Sequence, residues 1–377
     1  MTSGGTESLL LAIKSYRDRA RVLSPHITRP EVILCCSVHV AVPKACKYFD
    51  VTPVFVPMDA STMRMDVAAA ANAITPNTIL LMGSAPQYPH GVVDPITELG
   101  VLARERGLPL HVDACMGGFL LPWVERLGLP VPRWDFRVAG VTSISADIHK
   151  YGYAAKGAST LSWISQEYRQ YQFFAFAGWP GGMFVSPSLL GTRPGGSIAA
   201  AWAALVGIGE KGYLSKARAL MDCVSSFRKE IESIPELRIL GSPHMSILSF
   251  TATPAASKAG LNIFAVADVM DKQFGFKVEC QQHPSCLHVT LTPPHASVVS
   301  EFGQALRASV REVLSHPELA SEGNAATYGI IAKIPSADIA DQFLVSFLDK
   351  VLKPTPGAAA PGKQGSSSSS SNGSNGK

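Results

Sequence analysis

The feature of this sequence that most constrains its fold is the alternation of short apolar runs with helix-like stretches through the first half. Five runs have the length and apolar character of buried parallel strands: Val32–Cys36, Val51–Val56, Thr78–Met82, Leu110–Val112 and Val141–Ser145. Helix patterns cover Glu7–Arg19 and Asp94–Arg106, the second with Asp94 as N-cap and Pro95 in its first turn. This alternation predicts an α/β fold with a mostly parallel sheet.

The second half of the chain predicts a smaller domain and a tail. Beyond a long helical pattern, strand-like runs at Met245–Thr251 and Leu287–Leu291 lie among further helices. We therefore predict a large domain over residues 1–215 and a small C-terminal α+β domain over residues 216–352. Residues 353–377 are rich in Ser, Gly and Pro and hold too little apolar surface to fold, so they are predicted to be a disordered tail.

Charge and cysteine usage bear on the class of protein. The net charge of the 377 residues is +4, and the tail contributes three lysines with no acidic residue, so the folded part is close to neutral. A nearly neutral surface argues against nucleic-acid binding, which needs a concentrated basic face. The seven cysteines lack the paired spacing of a zinc site, so we expect no metal and interpret them as reduced thiols.

The hydropathy of the chain bears on membrane insertion. The most apolar run, Ile198–Ile208, is about half of the ~20 residues that span a bilayer. It is better interpreted as a buried helix. The chain by itself is therefore predicted to be soluble and cytoplasmic.

Two features near the start of the chain are candidate binding elements. The Gly-rich turn Thr2–Thr6 precedes the first helix, where free backbone amides can bind phosphate. The same pattern also occurs in ordinary turns. His39 follows the first strand, and its ring is able to stack on an aromatic group or pass protons, although a lone histidine is more often structural.

Two further residues at the ends of predicted buried strands are candidates for a catalytic role. Asp113 ends the fourth strand, at the sheet edge where α/β proteins bind ligands, and is able to keep a pyridine nitrogen protonated. The alternative is a cap for the following segment. Lys150 lies just beyond the fifth strand, so we expect burial to depress its pKa and favour a nucleophilic amine. Its alternative is a lysine that reaches solvent from a strand end.

These residues, in this order, resemble the sphingosine-1-phosphate lyase family, on the group II decarboxylase-like branch of fold type I pyridoxal-phosphate enzymes. The resemblance runs from the first residue to about residue 352. The matching stretches are Thr2–Ser8 (TSGGTES), Ala85–Gly91 (APQYPHG), His111–Leu120 (HVDACMGGFL), Asp135–Lys150 (DFRVAGVTSISADIHK), Tyr151–Gly157 (YGYAAKG) and Arg193–Gly196 (RPGG).

The resemblance implies a fold type I large domain that binds pyridoxal 5′-phosphate. It implies that Lys150 holds this cofactor as a Schiff base, that Asp113 pairs with the pyridine nitrogen, and that His39 stacks on the ring. These three residues are the predicted catalytic set.

The resemblance also implies residues that bind the two phosphates. Gly5 and Thr6 are predicted at the cofactor phosphate, which Thr192 of a neighbouring subunit is expected to reach. His149 is predicted to shape the cofactor site beside the lysine. Lys156 is predicted to hold the phosphate of the substrate.

The implied reaction splits the C2–C3 bond of a phosphorylated sphingoid base, giving a long-chain aldehyde and phosphoethanolamine. The resemblance implies a homodimer with shared active sites at the cytosolic face of the endoplasmic reticulum membrane. The family begins well upstream of Met1, and the missing part would hold a membrane anchor. We therefore expect either a truncated reading frame or a remnant that has lost function.

Two alternatives to the lyase stay open on the sequence. An amino-acid decarboxylase of the same branch would share Lys150 and Asp113 but would not require Lys156. The stretch Tyr151–Gly157 fits the lyase better than the aromatic pattern typical of decarboxylases. The other alternative is a non-catalytic fragment that binds cofactor or partner chains.

Overall fold

A six-stranded sheet forms the centre of the fold and confirms the predicted α/β class. Its strands are β1 (Glu31–Cys35), β2 (Thr52–Val56), β3 (Thr78–Ser84), β4 (Leu110–Asp113), β5 (Val141–Ala146) and β6 (Thr160–Trp163). The strand order is β2-β1-β3-β4-β5-β6, in which β1 to β5 are parallel and β6 is antiparallel at one edge. The five predicted strands are all present, and four of them, β1, β3, β4 and β5, are buried along almost their whole length.

Helices follow the strands and cover the sheet in the computed structural model, which describes residues 1–331 and 337–353. They are α1 (Gly5–Leu23), α2 (Ala41–Phe49), α3 (Val67–Ala73), α4 (Ile96–Glu105), α5 (Leu121–Arg126), α6 (Gln166–Arg169) and α7 (Gly195–Glu232). On α1, buried residues recur at the helical spacing Leu9, Ile13, Tyr16 and Ala20, and they pack in one cluster with β1 and α2. This packing fixes the first turn of α1 against the sheet.

The prediction that Asp94 is the N-cap of α4 is wrong. The helix begins at Ile96, and its N-cap residue is Pro95. The carboxylate of Asp94 instead accepts hydrogen bonds from the backbone amides of Met65, at 3.0 Å, and Ser84, at 2.8 Å. Asp94 is fully buried, and the desolvation that follows raises its pKa to about 6. The residue ties the end of β3 to the segment before α3.

An antiparallel sheet forms the core of the region that follows α7. Its strands are β9 (Leu237–Ile239), β10 (Ile247–Ala252), β11 (Glu279–Gln281) and β12 (Cys286–Thr290), in the order β11-β12-β10-β9. The predicted strands at Met245–Thr251 and Leu287–Leu291 are confirmed as β10 and β12. The three-residue strands β9 and β11 were not predicted, because they carry too few residues to form a recognisable pattern.

Short elements complete the described chain. A hairpin joins β7 (Phe174–Phe176) to β8 (Phe184–Ser186), and the later helices are α8 (Pro254–Lys258), α9 (Ile263–Phe274), α10 (Val299–Ser315), α11 (Gly323–Ile331) and α12 (Ala337–Val351). Over the ranges that the structure describes, no helix is long and apolar enough to cross a membrane.

The chain separates into two units, one of residues 1–325 and one that begins at Ala326. The predicted boundary at residue 215 lies inside α7. The division into a large and a small domain at that residue therefore stays a prediction. The predicted tail lies outside the described residues, apart from Lys353.

Candidate active site

A cleft of about 360 Å³ lies at the carboxyl edge of the large sheet and collects residues from four separate stretches of sequence. Six of the eight predicted site residues line it: Gly5, Thr6, His39, Asp113, His149 and Lys150. They meet there because parallel strands β1, β4 and β5 end at the same edge, and because α1 begins beside them. The structure thus brings the predicted catalytic set together.

Asp113 is held at the end of β4 by two hydrogen bonds. Its Oδ1 accepts from the backbone amide of Cys115 at 3.0 Å and from the hydroxyl of Ser145 at 3.2 Å. The following helix, α5, begins only at Leu121, so the residue does not cap it. These two bonds fix the orientation of the carboxylate, and one of them comes from Ser145 on the neighbouring strand β5.

A chain of hydrogen bonds leads from Tyr16 to Asp113 and was not predicted from the sequence. Ser145 also bonds with Nε2 of His111 at 3.2 Å, while Nδ1 of His111 bonds with the Ser143 hydroxyl at 2.7 Å. The Tyr16 hydroxyl reaches Ser143 at 2.6 Å. One set of proton positions satisfies the whole chain: Tyr16 donates to Ser143, which donates to His111, which donates through Ser145 to Asp113. The chain therefore ends with Asp113 as the acceptor.

His111 takes part in this chain as a neutral ring. It is fully buried, and the desolvation lowers its pKa to about 4, against the opposing effect of Asp113. The strand register places His111 opposite Ser143 and Asp113 opposite Ser145. The serines at alternate positions of β5 were the available signal, since two hydroxyls on one face of a buried strand need partners.

Lys150 follows β5, and the prediction that its pKa is depressed is wrong. Burial alone would lower the pKa, but the attraction of Asp147 and of the neighbouring acidic groups outweighs it, so that the pKa is raised. Nζ of Lys150 lies 3.0 Å from Oδ2 of Asp147. The buried strand predicted the desolvation correctly, whereas the buried carboxylate beside the amine was overlooked.

The Gly-rich turn before α1 packs closely against the residues that follow β5 and β4. A Cβ atom on Gly5 would lie 2.8 Å from Oδ2 of Asp147 and 2.9 Å from Sγ of Cys115. Only glycine therefore fits at the first position of α1. This close approach brings the free amides of the α1 N-terminus to the cleft, where they are available to an anion.

The two histidines of the cleft are fixed by backbone groups. Nδ1 of His39 accepts from the amide of Ala41 at 3.1 Å, in the first turn of α2. Nδ1 of His149 lies 2.7 Å from the carbonyl oxygen of Ala158, and because a carbonyl only accepts, this nitrogen carries the hydrogen. These backbone groups fix the orientation of both rings.

The other two predicted residues lie outside this cleft. Lys156 lines a second cavity of about 160 Å³ together with Arg193 and Ser197, and Ser3 and Glu7 line both cavities. Thr192 is exposed, and it is not among the residues that line either cavity. Its predicted contact depends on a neighbouring subunit.

The residues of the cleft fit pyridoxal 5′-phosphate. The Lys150 amine matches its aldehyde, the Asp113 carboxylate matches its pyridine nitrogen, and the α1 N-terminus matches its phosphate. The fit is one of chemistry and of position at a single edge of the sheet. It agrees with the cofactor predicted from the sequence.

Comparison with known proteins identifies the family. Residues 1–253 match the conserved domain of pyridoxal-dependent decarboxylases. The sphingosine-1-phosphate lyase of Arabidopsis thaliana is 44% identical over 93% of this chain and 62% of its own length. That of Saccharomyces cerevisiae is 40% identical over 94% of this chain and 60% of its own length. The chain thus spans about three fifths of the length of these relatives.

Comparison with solved structures agrees with this family and its fold. The sphingosine-1-phosphate lyase of Burkholderia pseudomallei superposes with a TM-score of 0.83 at 38% identity, over 93% of this chain and 74% of that one. Glutamate decarboxylase of Lactobacillus brevis, at 22% identity and a TM-score of 0.72, shares the fold over 83% of this chain and 74% of its own. The chain belongs to the family of pyridoxal-dependent decarboxylases, within which it groups with the sphingosine-1-phosphate lyases.

Proposed function

We propose that this chain carries the catalytic region of a lyase that splits the C2–C3 bond of phosphorylated sphingoid bases. The products are a long-chain aldehyde and phosphoethanolamine. The observation that carries the proposal is the meeting of Lys150, Asp113 and His39 with the N-terminus of α1 in one cleft. The names of the relatives support the substrate class.

Five residues of the cleft have distinct parts in this proposal. The cofactor, when bound, supplies an electron sink for the cleavage. Lys150 provides the amine that holds it covalently, and Asp113 keeps its ring nitrogen protonated. His39 offers a ring for stacking, while Gly5 and Thr6 offer backbone amides to its phosphate.

The substrate phosphate is assigned to the second cavity. Lys156 and Arg193 place two cationic side chains on its wall, and the cavity shares Ser3 and Glu7 with the cleft. A phosphate held there would lie beside the reacting centre. Two cations suit a phosphate dianion better than they suit the single carboxylate of an amino acid.

We also propose that the protein acts as a homodimer. The segment from residue 173 to 190 carries exposed apolar side chains, among them Trp179 at 53%, Met183 at 90% and Val185 at 75% exposure. A contiguous apolar surface of this kind is typical of an interface. Sedimentation should show a dimer that Val185→Glu weakens, whereas the same change at exposed Val22, on α1, should leave association intact.

The cellular site is proposed from the resemblance alone. We place the protein at the cytosolic face of the endoplasmic reticulum membrane. Fractionation of cells that express it, with a marker enzyme for each compartment, tests this placement. Recovery entirely outside the endoplasmic reticulum fraction would contradict it.

The lyase activity is tested by product analysis. The chain is incubated with pyridoxal 5′-phosphate and a phosphorylated sphingoid base, and aldehyde and phosphoethanolamine are measured by mass spectrometry. Equal molar amounts of both products are expected, and none from Lys150→Ala. Release of carbon dioxide from amino acids, without aldehyde from the sphingoid base, would favour the decarboxylase.

A further inference from the structure

Asp147 is a buried carboxylate at the cleft for which the proposed reaction gives no role. It follows the last residue of β5 and has only 2% of its surface exposed. Its Oδ2 lies 3.0 Å from Nζ of Lys150 and 3.6 Å from Nε2 of His149. Its Oδ1 has no hydrogen-bond partner among the described residues. A carboxylate so placed contacts the atom that must react with the cofactor.

The surroundings of Asp147 make Lys150 its counter-charge. A buried carboxylate is costly unless a cation or several donors satisfy it. Asp113 and Cys115 at the end of β4 face the pair, together with Tyr88, and the ionisable side chains of Glu7 and His39 line the same cleft. Asp113 is itself an acid, and burial raises the pKa of the Cys115 thiol well above its usual range, so neither supplies a positive charge.

His149 cannot replace Lys150 while it is neutral. Because its Nδ1 carries the hydrogen toward Ala158, the neutral ring presents the lone pair of Nε2 to the Asp147 oxygen. Two acceptors that face each other repel, so the neutral ring cannot satisfy the carboxylate. Lys150 is therefore the cation that pairs with Asp147.

We propose that Asp147 controls the protonation of Lys150, holding a proton on Nζ in the cofactor-free protein and accepting it when the amine must become a nucleophile. The transfer breaks one N–H bond of Nζ and forms one O–H bond on Oδ2. It needs no other reactant. The proton then resides on Oδ2 of Asp147, which lies 3.6 Å from Nε2 of His149.

This inference deepens the proposed attachment of the cofactor at Lys150, but it can be tested without cofactor or substrate. The cofactor-free protein is labelled with an amine-specific reagent across a range of pH, and modification of Lys150 is measured by peptide mass spectrometry. In the wild type, the pH midpoint of labelling should exceed that of N-acetyl-lysine amide in the same buffer. Asp147→Asn should lower the midpoint by about one unit or more, which corresponds to about tenfold faster labelling near pH 8.

A matched control shows whether the effect is local to the cleft. Asp135→Asn makes the same chemical change at a surface carboxylate that pairs with Arg137, so it should leave the labelling midpoint of Lys150 unchanged. An unchanged midpoint in Asp147→Asn would overturn the inference. If that variant does not fold, the wild-type profile decides alone, and a midpoint at or below that of the free amine would also overturn it.

A second measurement uses the cofactor-loaded protein. The pH midpoint of the absorbance change of the bound cofactor should fall in Asp147→Asn, because the negative charge beside the lysine nitrogen is lost. Failure of the lyase assay would leave the cofactor-free labelling result intact. The two proposals can therefore fail separately.

Discussion

Replacing Asp113 with asparagine should remove the chemistry of the cleft and preserve its shape. Both hydrogen bonds of the carboxylate end on Oδ1, which accepts from Cys115 and Ser145. The side-chain oxygen of an asparagine can take the same place and accept the same two bonds. We therefore expect Asp113→Asn to fold and to retain the cofactor.

The expected loss of rate follows from the charge that is removed. An amide is not basic and cannot keep a pyridine nitrogen protonated, so the electron sink is weakened. A loss of about 4 kcal/mol of transition-state stabilisation corresponds to a rate lower by on the order of 10³-fold. The loss should appear in the chemical step, since the contacts of Asp113 within the protein are unchanged.

The assay is single-turnover release of aldehyde from a phosphorylated sphingoid base at saturating cofactor, with absorbance measured on the same sample to confirm that cofactor is bound. The control is Asp135→Asn, which removes a surface carboxylate that pairs with Arg137. The control should keep the wild-type rate. A cofactor-loaded Asp113→Asn that turns over within about tenfold of the wild type would refute the role given to this carboxylate.

Three further predictions concern other parts of the molecule. Borohydride reduction of the loaded protein should place the pyridoxyl group on Lys150, and its recovery on Lys156 would overturn the assignment. Lys156→Ala should weaken binding of the phosphorylated substrate far more than binding of its dephosphorylated analogue, whereas Lys44→Ala should affect neither; equal losses for both ligands would favour the decarboxylase. Asp94→Asn should cost about 1–3 kcal/mol in urea unfolding, because an amide nitrogen would face a backbone donor. Folding raises the pKa of Asp94 from 3.8 to about 6, so wild-type stability should fall relative to the variant as the pH rises from about 4 to about 6. A constant difference would contradict this.

The centre of the large sheet was predictable because the strands β1, β3, β4 and β5 are buried on both faces. A run such as Thr78–Ser84 is buried at every position, so its apolar character shows directly in the sequence. The convergence of His39, Asp113 and Lys150 was predictable for the related reason that parallel strands end at one edge. The antiparallel edge strand β6 was not predicted, since it is only half-buried.

The electrostatics of the site could not be predicted in the same way. The sequence shows Asp147 three residues before Lys150, but a helix, a turn and a strand would place these side chains differently. Only the turn after β5 brings them to 3.0 Å, and this contact reverses the expected shift in the pKa of the lysine. For Asp94, likewise, the pattern of a cap was present, but the nearby amides of Met65 and Ser84 bind the carboxylate.

Two carboxylates of the cleft, Asp113 at the end of β4 and Asp147 just after β5, are directed to opposite tasks by their neighbours. Asp113 receives hydrogen bonds that carry no charge, because His111, with a pKa of about 4, is neutral near physiological pH. It therefore keeps its negative charge for a ligand. Asp147 instead faces the Lys150 amine within the protein, so its charge is used to hold a proton there. A protonated His111 would satisfy Asp113 internally, and the neutrality that burial imposes on this histidine is what leaves one of the two carboxylates available to the cofactor.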